Sequence, residues 1–97
     1  MEITEVRVNL QHDKGALKAF VSITLDDEFV VRGVKVIARG DGLFVAMPNR
    51  EKSDGTYQDI AHPINHETRK HLEDTVLAAY EAALAAERSR TESGILA

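Results

Sequence analysis

The chain has no cysteine and no tryptophan, only two prolines, and five aromatic residues among its ninety-seven. Without cysteine, neither a disulfide framework nor a cysteine-ligated zinc site can form, an absence that fits a cytoplasmic protein. No apolar run approaches the roughly 20 residues needed to span a bilayer, so no membrane association is expected. The N-terminus enters a strand-like pattern at once, Ile3-Thr4-Glu5-Val6-Arg7-Val8, without the basic start, apolar stretch and small-residue cleavage site of a signal peptide. There is no glycine-rich phosphate loop and no serine or cysteine nucleophile with a plausible histidine partner. A chain this short also has little room for a deep pocket, so enzymatic function and a cofactor are not expected.

What is present is enough for one domain. At this length about 60 to 70% of the unfolded chain's surface is buried on folding, which leaves stability marginal unless a partner adds buried area. A second copy of the same chain is the most accessible partner, because most soluble oligomers are symmetric homo-oligomers. The formal charge of −4 argues against a polyanionic ligand only if charge is spread evenly. Residues 43 to 72 hold Arg50, Lys52, Arg69 and Lys70 against Glu51, Asp54, Asp59 and Glu67, so a basic face there depends on geometry.

Five strand-like runs are separated by turn signals. In the first, Val6, Val8 and Leu10 alternate with Glu5, Arg7 and Asn9, the period of a half-buried strand. After Asp13-Lys14-Gly15, the second run sets Leu17, Ala19, Val21, Ile23 and Leu25 on one face and ends in the acidic turn Asp26-Asp27-Glu28. The third changes phase between Val31 and Val34, which predicts a β-bulge at Gly33 that leaves Arg32 and Lys35 on one outward face. Gly40-Asp41-Gly42 leads into Leu43–Met47, a strand with no polar side. Such a strand is covered on both faces, here by the C-terminal helix and by a subunit partner. A loop from Asn49 to Thr56 with the hairpin signal Asp54-Gly55 precedes a fifth run, Tyr57 to His62, which Pro63 ends. Asn65 is a natural N-cap and Glu67 complements the helix dipole. Leu72, Val76, Ala79, Tyr80, Ala83 and Leu84 then mark an amphipathic helix to about Arg88, on the order of 34 Å long. Residues 1–88 are read as the domain and 89–97 as a frayed tail.

The stretch Gly42-Leu43-Phe44-Val45-Ala46-Met47-Pro48, then Arg50, Lys52, Asp54-Gly55 and Asp59-Ile60-Ala61-His62-Pro63-Ile64, carries a family resemblance. With Ser22-Ile23-Thr24-Leu25-Asp26 and Gly33-Val34-Lys35-Val36-Ile37 upstream, the chain from about Met1 to Tyr80 closely resembles the stage V sporulation protein G family. The resemblance implies a small dimeric bacterial regulator that binds DNA and RNA and is linked to septation. It also implies that Arg50, Lys52 and Arg69, after the Ala-Met-Pro segment and in the following helix, contact nucleic acid, with Lys70 beside them. The chain departs from the family pattern where Glu51 follows Arg50 and at Gln58, positions that are basic in many members. Both departures weaken the positive potential.

Read without the resemblance, the same cations can meet phosphates from a loop and a helix N-terminus, or simply form a solvated surface. His62, His66 and His71 invite a metal reading, but His66 and His71 lie about 140° apart around a helix and converge poorly. His62 before Pro63 is expected to order the strand-to-helix corner. Asp26, Asp27 and Glu28, consecutive in a tight turn, point apart and read as turn residues rather than paired carboxylates. Phe29 and Phe44 look like core and Tyr80 like helix packing, with Phe44 also a candidate for the dimer interface. Phe20 shares its strand face with Lys18 and Ser22 and is a contact candidate, for a subunit interface or for a base. The expected architecture is an α+β domain: a twisted antiparallel sheet of about five strands with a long C-terminal helix packed on it, paired into a homodimer. The rival reading is a protein-interaction module that influences septation through a protein partner.

Overall fold

The computed structural model describes the backbone of residues 1–96 and the side chains of residues 1–90. Six strands precede one helix: β1 (Ile3–Leu10), β2 (Leu17–Leu25), β3 (Phe29–Arg39), β4 (Gly42–Ala46), β5 (Asn49–Glu51), β6 (Tyr57–Asp59) and α1 (His66–Leu96). The first four form one antiparallel meander in the order β1-β2-β3-β4, and β5 pairs with β6 in a separate small sheet. The architecture is the expected α+β arrangement, but the main sheet has four strands, because the fifth strand-like run joins the separate pair. That run pairs with β5 instead of the main sheet: Asn49, Arg50 and Glu51 stand opposite Asp59, Gln58 and Tyr57, and the Ile60 amide continues the pairing by donating to the Pro48 carbonyl at 2.7 Å before Pro63.

Alternation within the strands gives the sheet two unlike faces. Ala19, Val21 and Ile23 of β2, Val34 and Val36 of β3, and Val45 with Met47 at the end of β4 are buried against Leu72, Val76 and Tyr80 of α1. These three helical residues recur every four positions and form one stripe, as the spacing predicts. Val6, Val8 and Leu10 of β1 pack along the margin of the same core. His12 Nε2, 3.0 Å from Glu87 Oε2, ties the turn after β1 to the distal part of the helix. Asn65 caps the helix as expected, its Oδ1 accepting from the Thr68 amide at 2.8 Å. At 31 residues, α1 is about 46 Å long, more than the strands beneath it can cover, so Ala85, Ala86 and Arg88 stand exposed. The expected frayed tail, 89–97, falls from residue 91 onward outside the described side chains.

The phase change in β3 is a bulge. Val21 pairs with Val34 and Ile23 with Val31, so Arg32 and Gly33 together oppose Ser22. Gly33 has φ of 87°, a left-handed value that glycine adopts without strain. The acidic turn joins the paired residues Leu25 and Phe29 through three residues; Asp26 and Asp27 have φ of 52° and 55°, and the Glu28 amide donates to the Leu25 carbonyl. Positive φ at both of these aspartates is the geometry that matches strand twist. Asp26 Oδ1 accepts from the Glu2 amide and Thr4 Oγ1 from the Asp27 amide, so both residues anchor the start of β1.

Two aromatic assignments need correction. Phe29 is 66% exposed, because it opens β3 at the end of the sheet and meets no core residue. Phe44 is 37% exposed, because its pairing with Ile37 turns it to the face opposite the helix while Val45 takes the inward position. Since β4 is an edge strand, its apolar sequence is buried on one face only within the protomer, and Leu43 is also partly exposed.

Candidate nucleic-acid interface

The four cations singled out by sequence lie on two elements. Arg50 sits in β5 directly opposite Gln58, and Lys52 opens the turn that joins β5 to β6. That turn is internally fixed: Asp54 Oδ1 accepts from the Thr56 amide at 3.0 Å and from Thr56 Oγ1 at 2.6 Å. These bonds from Thr56 hold the Asp54 carboxyl below its ordinary pKa. Tyr57 donates its hydroxyl to Glu51 Oε1 at 3.2 Å, across the same hairpin. Glu51 and Gln58 lie immediately beside Arg50, one next in the chain and one across the ladder.

Arg69 and Lys70 lie in the first turns of α1 and have different circumstances. Arg69 is half-buried, and it forms no ion pair among the described residues. Lys70 Nζ donates to Asp74 Oδ2 at 2.8 Å, one turn along, and this bond and charge raise the lysine pKa. A cation engaged by its own helix is less available to a phosphate, so Arg50, Lys52 and Arg69 form the set without an ion pair among the described residues. Among the described residues, no hydrogen bond or ion pair joins the hairpin cations to the helix cations.

The corner between β6 and α1 is apolar and exposed. Tyr57 is 68% exposed, Ile60 66% and Ile64 91%, and no lysine or arginine occurs from Tyr57 to Thr68. His62 Nδ1 lies 2.9 Å from the Pro63 carbonyl, a contact that orders this corner. Among the described residues, no group of three or more His, Asp or Glu side chains stands close enough to hold a metal ion.

Sequence reasoning puts Arg32 and Lys35 on one outward face and holds Arg32, Lys35 and Arg39 as the alternative contact surface; the pairing of the main sheet, on the side away from α1, adds Arg7, Lys18 and two aromatic rings to it. There the row Asn9, Phe20, Lys35, Ala46 crosses all four strands, flanked by Arg7, Ser22 and Arg32 on one side and by Ile37 and Phe44 on the other, with Lys18 in the register shift between Leu17 and Ala19. Arg39 closes the face with its guanidinium carbon 4.5 Å from the centre of the Phe44 ring. The strand alternation held this signal, but only the bulge puts Arg32 and Lys35 on one side.

The protein is therefore a small α+β domain that presents its charged groups on a hairpin, a helix start and an open sheet face. Among the described residues, no helix is long and apolar enough to cross a membrane. The SpoVG family model matches residues 1–82. A relative from Lachnospira eligens is 58% identical over 83 residues, covering 86% of this chain and 94% of its own. One from Thermoanaerobacter pseudethanolicus is 49% identical over 92 residues, covering 95% of this chain and all of its own. A third, from Clostridium acetobutylicum, is 47% identical over 93 residues, covering 96% and 98%. All three bear the name "Putative septation protein SpoVG". The chain belongs to the SpoVG family.

Proposed function

We propose that this protein is a non-catalytic, cytoplasmic regulator that binds DNA or RNA as a homodimer and thereby affects gene expression and septation. The observation that carries the reading is the set Arg50, Lys52 and Arg69, which form no ion pair with an acidic side chain among the described residues. Cations on a hairpin and at a helix N-terminus can track phosphates without disturbing the core. The names of the relatives support the link to septation.

The homodimer contact is assigned to the apolar corner at Tyr57, Ile60 and Ile64. Phe20 and Phe44, the interface candidates from sequence, lie on the basic sheet face. An isologous contact there would set five cations against their own copies, and like charges across an interface are costly. A contact through the corner avoids that repulsion, since no lysine or arginine occurs from Tyr57 to Thr68. The corner also suits a protein partner, the second reading.

A gel-shift titration against pooled DNA and RNA fragments at two salt concentrations tests the function. Each neutralised phosphate adds about 0.9 to the slope of log affinity against log salt on duplex DNA. Replacing Arg50, Lys52 and Arg69 by alanine removes three cations per protomer and should flatten the slope of a dimer by about five. A folded, dimeric triple variant with unchanged affinity and slope would show these residues to be solvated surface and favour the protein-partner reading.

A further inference from the structure

The main sheet's face opposite α1 differs from the rest of the molecule in charge. Its strands carry Arg7, Lys18, Arg32, Lys35 and Arg39 but one carboxylate, Glu5, in a chain whose formal charge is −4. Glu5 is engaged by Arg7 at 3.0 Å, and the other four cations form no ion pair among the described residues. Two rings lie among them. Phe20 is 40% exposed and stands directly opposite Lys35, and Phe44 is 37% exposed with Arg39 over its ring. Strand spacing puts the two rings about 12 Å apart, two strands across and one side-chain step along. Between Phe20 and Arg32 the surface is hollowed into a shallow, open pocket lined also by Arg7, Asn9 and Ser22.

We infer that this open sheet face binds a single-stranded polynucleotide, whose unpaired bases stack on Phe20 and on the Phe44–Arg39 pair while its phosphates lie along Arg32, Lys35 and Lys18. The inference rests on the nucleic-acid reading above and deepens it, using a different surface and naming the kind of strand. Exposed aromatic rings on a flat sheet can stack on unpaired bases, and a guanidinium held over a ring offers a second plane for the same purpose. A duplex keeps its bases stacked internally, so the rings add nothing to its binding. A second copy of the chain is disfavoured here by five cations meeting five. A polyanion is favoured by those same charges, so charge complementarity selects the occupant.

The test is fluorescence anisotropy with labelled uridine and thymidine dodecamers and a labelled duplex, using the 97-residue chain. Phe20→Leu and Phe44→Leu keep apolar bulk but remove the aromatic plane. Each should weaken single-strand binding about tenfold with little change in salt slope, and should leave duplex binding within about twofold. Arg32→Gln with Lys35→Gln should instead flatten the single-strand slope by about 0.7 for each phosphate left without its cation. Circular dichroism and sedimentation velocity confirm that each variant is folded and keeps its oligomeric state.

Unchanged single-strand affinity in both folded leucine variants would overturn this inference while leaving the hairpin-and-helix reading intact. Loss of dimerisation in those variants would overturn it in favour of a second copy on this face. A wild-type protein that binds none of the three probes at low salt would overturn both readings. Loss of duplex binding in the Arg50, Lys52, Arg69 variant, with single-strand binding still dependent on the rings, would support two separate surfaces.

Discussion

Replacing Gly33 by alanine isolates the backbone cost of the bulge that builds the open face. A Cβ added at Gly33 would lie 3.6 Å from Pro48 Cβ and 3.8 Å from Pro48 Cγ, ordinary contact distances that call for no displacement. The cost comes instead from φ of 87°, where an L-residue is strained by about 1 to 2 kcal/mol. Alanine also stiffens the unfolded chain, which returns about 0.4 to 1 kcal/mol. The net destabilisation should be about 1 kcal/mol, which for a domain of this size lowers Tm by about 4 to 8 °C. In urea, with a slope of about 1 to 2 kcal/mol per molar, the midpoint should fall by about 0.5 to 1 M. Melts must be run at one fixed protomer concentration, because the proposed dimerisation would couple to apparent stability. A midpoint unchanged from wild type would refute the left-handed bulge. A loss of about 4 kcal/mol would show that crowding against Pro48 dominates, and relief of that loss in the Gly33→Ala, Pro48→Ala double variant would confirm it.

Asn65→Ala removes the acceptor for the Thr68 amide and should cost about 1 kcal/mol in chemical denaturation, whereas Asn65→Asp should keep most of it. Val76→Ala empties a fully buried position on the inner stripe of the helix and should cost about 2 kcal/mol, with a smaller loss for Val76→Ile, which must fit an extra methylene. Asp54, with its pKa lowered by Thr56, favours the folded hairpin turn above the carboxylate's ordinary pKa and loses that contribution as pH falls through the lowered value. Amide exchange at Gly55 and Thr56, corrected for intrinsic rates, should therefore become less protected in that acidic window, and Asp54→Asn should remove the pH dependence. Lys70→Ala should reduce nucleic-acid affinity less than Lys52→Ala in the same titration, because Asp74 already engages Lys70.

Much of this fold follows from local chemistry. Period-two alternation put Val21 and Ile23 inward, the Val31-to-Val34 phase change located the bulge, Asn65 marked the helix start, and the four-residue recurrence of Leu72, Val76 and Tyr80 identified the buried stripe. Each of these depends on residues close together in the chain, where backbone sterics and side-chain direction allow few alternatives. Tertiary structure alone decided which side of β4 would stay open. Apolar residues in an edge strand read the same as those in a central one, so Phe44 looked like core until its pairing with Ile37 turned it outward. The same holds for charge. Arg7, Lys18, Arg32, Lys35 and Arg39 are scattered over 33 residues of an acidic chain, and they share a face only because three hydrogen-bonded ladders, with register shifts at Lys18 and at Arg32-Gly33, align them. Strand pairing is set by contacts distant in sequence, so the surface that it creates cannot be read from any single segment.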